Sequence, residues 1–193
     1  MVQSLTRVAT YADLEAVPPH LVAEILFGSL VTHPRPAPRH ATAQSAITGE
    51  LTGAFQRGRG GPGGWVFMIE PELHLGPHVV VPDIAGWRKE RLPHMPTTAY
   101  VETSPDWVCE LLSPSTENND RGPKRRIYAT FGVSHMWFVD PVARRLEAYA
   151  LRDAQWVLLE TFDGSDDVNA APFDAVPFSI SALWPLDNAP DQP

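Results

Sequence analysis

The chain has 193 residues, with 15 Lys and Arg against 23 Asp and Glu and a formal net charge of −8. That acid surplus argues against a protein that holds nucleic acid by general electrostatic attraction, which needs clustered cations. It does not exclude a cleft in which bound metal ions reverse the local sign. Hydrophobic content of 44% and charged content of 20% fit a soluble globular protein. No apolar stretch approaches the roughly 20 residues of a membrane span, and the opening "MVQSLTRVATYADLEAV" lacks the apolar core of a signal peptide. The single cysteine, Cys109, cannot form an internal disulfide, which suits a reducing compartment. The expectation is a cytoplasmic chain with no membrane partner, one domain over residues 1–185 and a disordered tail over residues 186–193.

In chain order, "TYADLEAV" predicts a short helix capped by Thr10 and ended at Pro18-Pro19. "HLVAEILFGSLVTHP" reads as a hairpin turning at Phe27-Gly28-Ser29. From Pro38 to Arg57, Ala43, Ala46, Ile47, Leu51, Ala54 and Phe55 recur at helical spacing. "RGRGGPGG" is a flexible connector without the Gly-Lys-Ser/Thr ending of a phosphate-binding loop. "WVFMIEPELHL" predicts a strand with a kink or a second strand at Pro71, and "HVVVPDIAGW" a further strand after the Gly76-Pro77 turn. "DWVCELL" is a strand, and "NNDRGPKRRIYATFG" a helix closed by Gly132. "SHMWFVDP", "RRLEAYALR" and "QWVLLETF" are three more strands, the last two with the alternation of an antiparallel meander whose exposed strands suit a homodimer.

Three acids sit inside apolar runs. Alternation places Asp83 on one face with Val81 and Ala85, and Glu110 on one face with Val108 and Leu112, while Cys109 and Leu111 face away. If the two strands pair, the carboxylates converge, and oxygen ligands there suit Mg²⁺; the alternative is two solvated acids at strand ends. Glu24 is the third acid, either completing that site or belonging to an edge strand. Lys124 is followed at three, four and seven positions by Ile127, Tyr128 and Phe131, which puts it on the packed face of its helix. There it needs an anionic partner, unless its stem packs and its ammonium reaches water. His40 begins the long helix near Arg35 and Arg39, a corner that could receive a phosphate at a helix N-terminus or simply carry a surface histidine. Arg125 could also meet a phosphate, although with Arg126 it is assigned to the solvated face. His74 and His78 lack the second ligand pair of a zinc site. Ser113 and Ser115 lack the G-x-S-x-G setting of a hydrolase nucleophile.

Taken together, "VPD", then "CELLSPST", then "DRGPKRRIYATFGVSHMWFVDP", with "AEILFGSLVTHPRPAPRH" upstream, resemble the Uma-type family of restriction-endonuclease-like proteins. That family lies within the wider P-D-(D/E)-x-K nuclease superfamily. The resemblance runs from about Tyr11 to Leu151. It implies an α/β (α+β) fold: a mixed sheet flanked by helices, with extra antiparallel strands at both ends. It also implies a Mg²⁺- or Mn²⁺-dependent endonuclease acting on DNA, with metal held by Asp83, Glu110 and the carbonyl of Leu111. The superfamily's lysine two residues after the second acid is Leu112 here. The resemblance moves that role to Lys124 on the following helix and gives Glu24 the part of an additional acid. The departure at Leu112 keeps open a non-catalytic binding or assembly protein on a nuclease scaffold.

Overall fold

The computed structural model describes residues 7–185; the tail expected to be disordered, residues 186–193, lies outside the described residues. Two sheets organise the chain. The first has four antiparallel strands in the order β2-β1-β5-β4, built from β1 (Leu21–Leu26), β2 (Ser29–Pro34), β4 (Leu73–Leu75) and β5 (His78–Val80). The second has six strands in the order β10-β9-β8-β7-β6-β3. Its members are β3 (Trp65–Ile69), β6 (Ile84–Arg88), β7 (Trp107–Leu111), β8 (His135–Asp140), β9 (Arg145–Arg152) and β10 (Gln155–Phe162). Within it β7 and β8 run parallel and the other neighbours antiparallel, so the sheet is mixed as expected.

The predicted elements form for local reasons. Thr10 caps α1 (Tyr11–Glu15), with its backbone N–H and its hydroxyl both donating to Asp13 at 2.7 Å. The β1–β2 hairpin turns on Phe27 (φ 51°) and Gly28 (φ 79°), the left-handed pair that a two-residue turn requires. Helix α2 (Pro38–Leu51) starts on a proline at its first position and buries Ala43, Ile47 and Leu51. A π-helical turn (Thr52–Gln56) extends it and buries Phe55. After β7, α3 (Glu117–Asn119), a π-helical turn (Asp120–Lys124) and α4 (Arg125–Thr130) form one helical run closed by Gly132 at φ 71°. Pro123 lies inside that run, where it removes a backbone donor and so favours the wider turn.

The six-stranded sheet is covered on both faces. Ile84, Trp107, Cys109, Leu111 and Trp137 pack with α2 and with the segment from Phe162 to Trp184. Ala85, Val108, Leu112, Met136 and Phe138 pack with Ile127 and Tyr128 of α4 and with Leu26, Leu73 and Val80 of the smaller sheet. These two sets are the faces that strand alternation assigns around Cys109 and Glu110.

One expectation changes. "HVVVPDIAGW" is two strands in different sheets, because Pro82 has no N–H to give a ladder and the chain crosses between sheets over Val81-Pro82-Asp83. "WVFMIEPELHL" divides in the same way at Pro71, with Glu70 at φ 46°. Asp83 therefore stands just ahead of β6 instead of in mid-strand. Among the described residues no helix is long and apolar enough to cross a membrane.

Candidate active site

The β6–β7 pairing aligns Ile84 with Cys109 and Ala85 with Val108, so its continuation sets Asp83 opposite Glu110. Glu110 is 1% exposed and faces the helical run after β7. From that run Tyr128 donates its hydroxyl to Glu110 Oε1 at 2.6 Å, and Lys124 Nζ lies 2.9 Å from Oε1 and 3.0 Å from Oε2. Lys124 is 3% exposed and has further acceptors: Val81 O at 3.1 Å, Asp120 Oδ1 at 3.2 Å and Glu24 Oε1 at 3.4 Å. Glu24 reaches it from β1, where register pairs Glu24 with Val31, and the same Oε1 accepts the Val81 N–H at 2.8 Å. The crossing peptide at Val81 is thus held on both sides, by a carboxylate at its nitrogen and an ammonium at its oxygen.

Asp83 completes the arrangement from the opposite wall. Its Oδ2 accepts the Leu111 N–H at 2.6 Å, and its Oδ1 lies 2.8 Å from His40 Nε2. Gln44, one turn along α2 from His40, donates to the Asp83 carbonyl at 2.8 Å. Above these groups opens a cavity of about 300 Å³. His33 at the end of β2, Arg35 in the connection that follows and His40 in the first turn of α2 line it, and the loop after β7 lines it with Ser113, Ser115 and Thr116. Those three hydroxyls hydrogen-bond among themselves at 3.0 Å.

Three carboxylates around one buried ammonium leave the cluster short of positive charge. Burial pushes the Glu110 carboxyl well above the ordinary carboxylate range; Lys124 pulls against that shift, and the charges of Asp120 and Asp83 add to it. Asp120 is raised for the same first reason, burial. Burial works against the charge on Lys124, but Glu110 and Glu24 overcome it and hold the ammonium well above the usual lysine range. The cluster therefore retains protons more tightly than separate side chains would. A hard divalent cation relieves such a surplus, and the donor set of carboxylate oxygens is the one Mg²⁺ or Mn²⁺ takes. In charge and donor chemistry Asp83, Glu110 and Glu24 fit it. The oxygens now engaged with Lys124, Tyr128, His40 and the Leu111 N–H would be shared, since among the described residues no three His, Cys, Asp or Glu side chains stand as a ready-made cage.

The residues singled out in the sequence fall unevenly. Asp83, Glu110 and Lys124 come together at one cavity floor, and Glu24 reaches Lys124 from β1 without lining the cavity. His40 lies against Asp83 and is 9% exposed, so it is not a surface histidine, although it lines the cavity; the packing of α2 on the sheet, which no local pattern reveals, buries it. Arg125 does not line the cavity, because its guanidinium lies 5.0 Å over the Tyr149 ring on β9. His74 and His78 have separate partners, Glu72 Oε1 at 2.7 Å and the Phe27 N–H at 3.2 Å. Cys109 is fully buried, and burial pushes its thiol well up. Sequence reasoning missed Asp120 and Tyr128 as partners of the cluster. Their signal was spacing, four residues either side of Lys124, which puts all three on one stripe of a helix.

Comparison with known proteins places the chain in a family and a fold. The Uma2 family model, described as "Putative restriction endonuclease", matches residues 8–181. The crystal structure of a "putative nuclease belonging to DUF820" from Anabaena variabilis ATCC 29413 superposes with a TM-score of 0.74 at 22% identity. The match covers 92% of this chain and 98% of that one, so the two share a fold. No curated protein matches.

Proposed function

Because the chain belongs to the Uma2 family, we propose that it is a metal-dependent endonuclease that hydrolyses phosphodiester bonds in DNA at the cavity between α2 and the helical run after β7. One observation carries the reading: a buried lysine surrounded by Glu24, Glu110 and Asp120, with Asp83 opposite Glu110, at the floor of a cavity open enough to admit a phosphate. Asp83 and Glu110, with the Leu111 carbonyl, would hold Mg²⁺ or Mn²⁺. When bound, the ion supplies an activated water and stabilises charge on the scissile phosphate. Lys124 pulls the Glu110 carboxyl toward its ionised form, against burial, and lends positive charge to the site. His40 and the Leu111 N–H fix the Asp83 rotamer, so that one carboxylate face is held toward the cavity. Glu24 secures the Val81 peptide and with it the approach to Asp83.

Calorimetric titration with Mg²⁺ and Mn²⁺ should show binding that Asp83→Ala abolishes, and plasmid, linear and single-stranded DNA should be cut with either ion and left intact in EDTA. Equal metal affinity in wild type and variant removes the site. A second reading, a non-catalytic binding or assembly protein, is favoured by Leu112 in the superfamily's lysine position and by the hydrogen bonds already made to Asp83 and Glu110. Metal binding with no cleavage of any of the three DNA forms would select it.

A further inference from the structure

A second cavity of about 260 Å³ lies beside the first, and the two share Arg35 and Val81 as walls. Arg35 is the single arginine lining the first cavity among the described residues. The other basic groups there are committed. Lys124 is ringed by three carboxylates and a carbonyl, His40 lies on Asp83, and His33 has Nδ1 3.1 Å from its neighbour's carbonyl and Nε2 3.9 Å from Glu24. Arg35 is different. Its side chain is 57% exposed, and its contacts among the described residues, to Glu70 Oε2 and the Pro19 carbonyl, are each 3.3 Å long. Such long, solvated contacts hold an arginine weakly, whereas a phosphate offers the same guanidinium two charge-assisted hydrogen bonds.

Glu70 is placed with more care than its partner. It adopts φ 46°, a conformation that glycine takes more readily, and its N–H donates at 2.9 Å to the carbonyl of Asp83. The residue that restrains Arg35 is therefore tied to the same peptide that carries the candidate metal-binding acid. Resting on the nuclease reading above, we propose that Arg35 is the phosphate anchor of the substrate and Glu70 its latch. In the free protein Glu70 holds the guanidinium at the wall between the cavities. A nucleic-acid phosphate arriving at the first cavity takes the guanidinium over, and Glu70 is left to water.

The test is fluorescence anisotropy of a fluorescein-labelled oligonucleotide, single-stranded and duplex, with Ca²⁺ and again in EDTA, across a salt series, with plasmid cleavage in Mg²⁺ run alongside. Arg35→Ala should weaken binding about tenfold and lower the slope of log affinity against log salt by about one, the loss of one phosphate contact. Arg35→Lys should keep the slope and recover part of the affinity. Glu70→Gln should tighten binding several-fold, and that gain should vanish when combined with Arg35→Ala, which separates a latch from a mere change in net charge. If wild type binds and Arg35→Ala binds equally well, the anchor is overturned and the nuclease reading stands. Equal tightening by Glu70→Gln with and without Arg35 overturns the latch. If wild type binds neither oligonucleotide and cuts no plasmid, both readings fall.

Discussion

Asp120 and Arg121 are neighbours on the helical run after β7, yet they lead into two ionic clusters of opposite character. Asp120 belongs to the group around Lys124, in which every side chain is 3% exposed or less. Arg121 turns the other way and forms a bidentate pair with Glu147 of β9 at 2.8 Å, braced by Glu117 at 3.0 Å and by the Phe138 ring 4.8 Å below its guanidinium. Tyr149 adds its hydroxyl to Glu147 at 2.7 Å. In this second group the side chains remain partly open to water, at 33% for Arg121 and 19% for Glu147. The same residue types thus respond in opposite directions. The hydrogen bond from Arg121 pulls the Glu147 carboxyl below its ordinary range, against a smaller effect of burial, whereas burial drives Glu110 above it. The Glu147 group is built as a brace. The Glu110 group instead sets three carboxylates around one ammonium away from water, and burial governs how it titrates.

The largest effect should come from removing the one ammonium that the buried group has. Lys124→Met strands three acids away from water, and loss of one partner from a buried pair costs about 3–5 kcal/mol. Urea denaturation should read that loss, and cleavage by the folded fraction should fall at least about 10²-fold. A variant as stable as wild type would erase the distinction between the clusters.

Glu110→Gln should separate the two properties. It replaces a carboxyl whose charged form burial disfavours while Glu24 and Asp120 still pair Lys124, so the melting temperature at neutral pH should equal or exceed that of wild type. Activity should drop by about 10²-fold or more. Arg121→Ala should do the reverse on a smaller scale. It should lose about 1–2 kcal/mol, because a charge-assisted bidentate pair is worth more than a lone surface pair but is still partly screened. Its cleavage rate should change far less than that of Glu110→Gln.

The smallest effect is one of pH. Glu147 has a folded pKa below its unfolded value, so the native state binds fewer protons in that range. Its stabilisation is present above the unfolded carboxylate pKa and is lost as pH falls through the folded one. Urea midpoints measured from about pH 6 down to about pH 3 should therefore decline more steeply in wild type than in Glu147→Gln. Parallel curves would mean that Arg121 and Glu147 do not act as a pair.

Much of the buried group was legible in the sequence because it follows from parity and helical spacing. Alternation along "DWVCELL" assigns Glu110 its face, and the three-, four- and seven-residue spacing after Lys124 turns that lysine inward. What stayed hidden depends on non-local packing. Nothing local says that Val79 and Ile84 belong to different sheets. Asp120 in "NND" looks like any solvated acid until the helical run is laid across the sheet. His40 is buried by the docking of α2, and the Arg121–Glu147 brace joins residues 26 apart. The place of Arg125 away from the cavity was hidden for the same reason, since the ring it covers arrives from β9.

The position of the lysine on the helical run, with Leu112 in the strand position, makes the site separable from the scaffold that carries it. A lysine at residue 112 could be withdrawn only by disrupting the ladder between β7 and β8. Here the ammonium sits on residues 117–130, so any opening of that run would take the counterion from Glu24 and Glu110 together while Asp120 travels with it. Amide hydrogen exchange across this segment would then report the lifetime of the assembled site, in an opening free energy distinct from that of global unfolding.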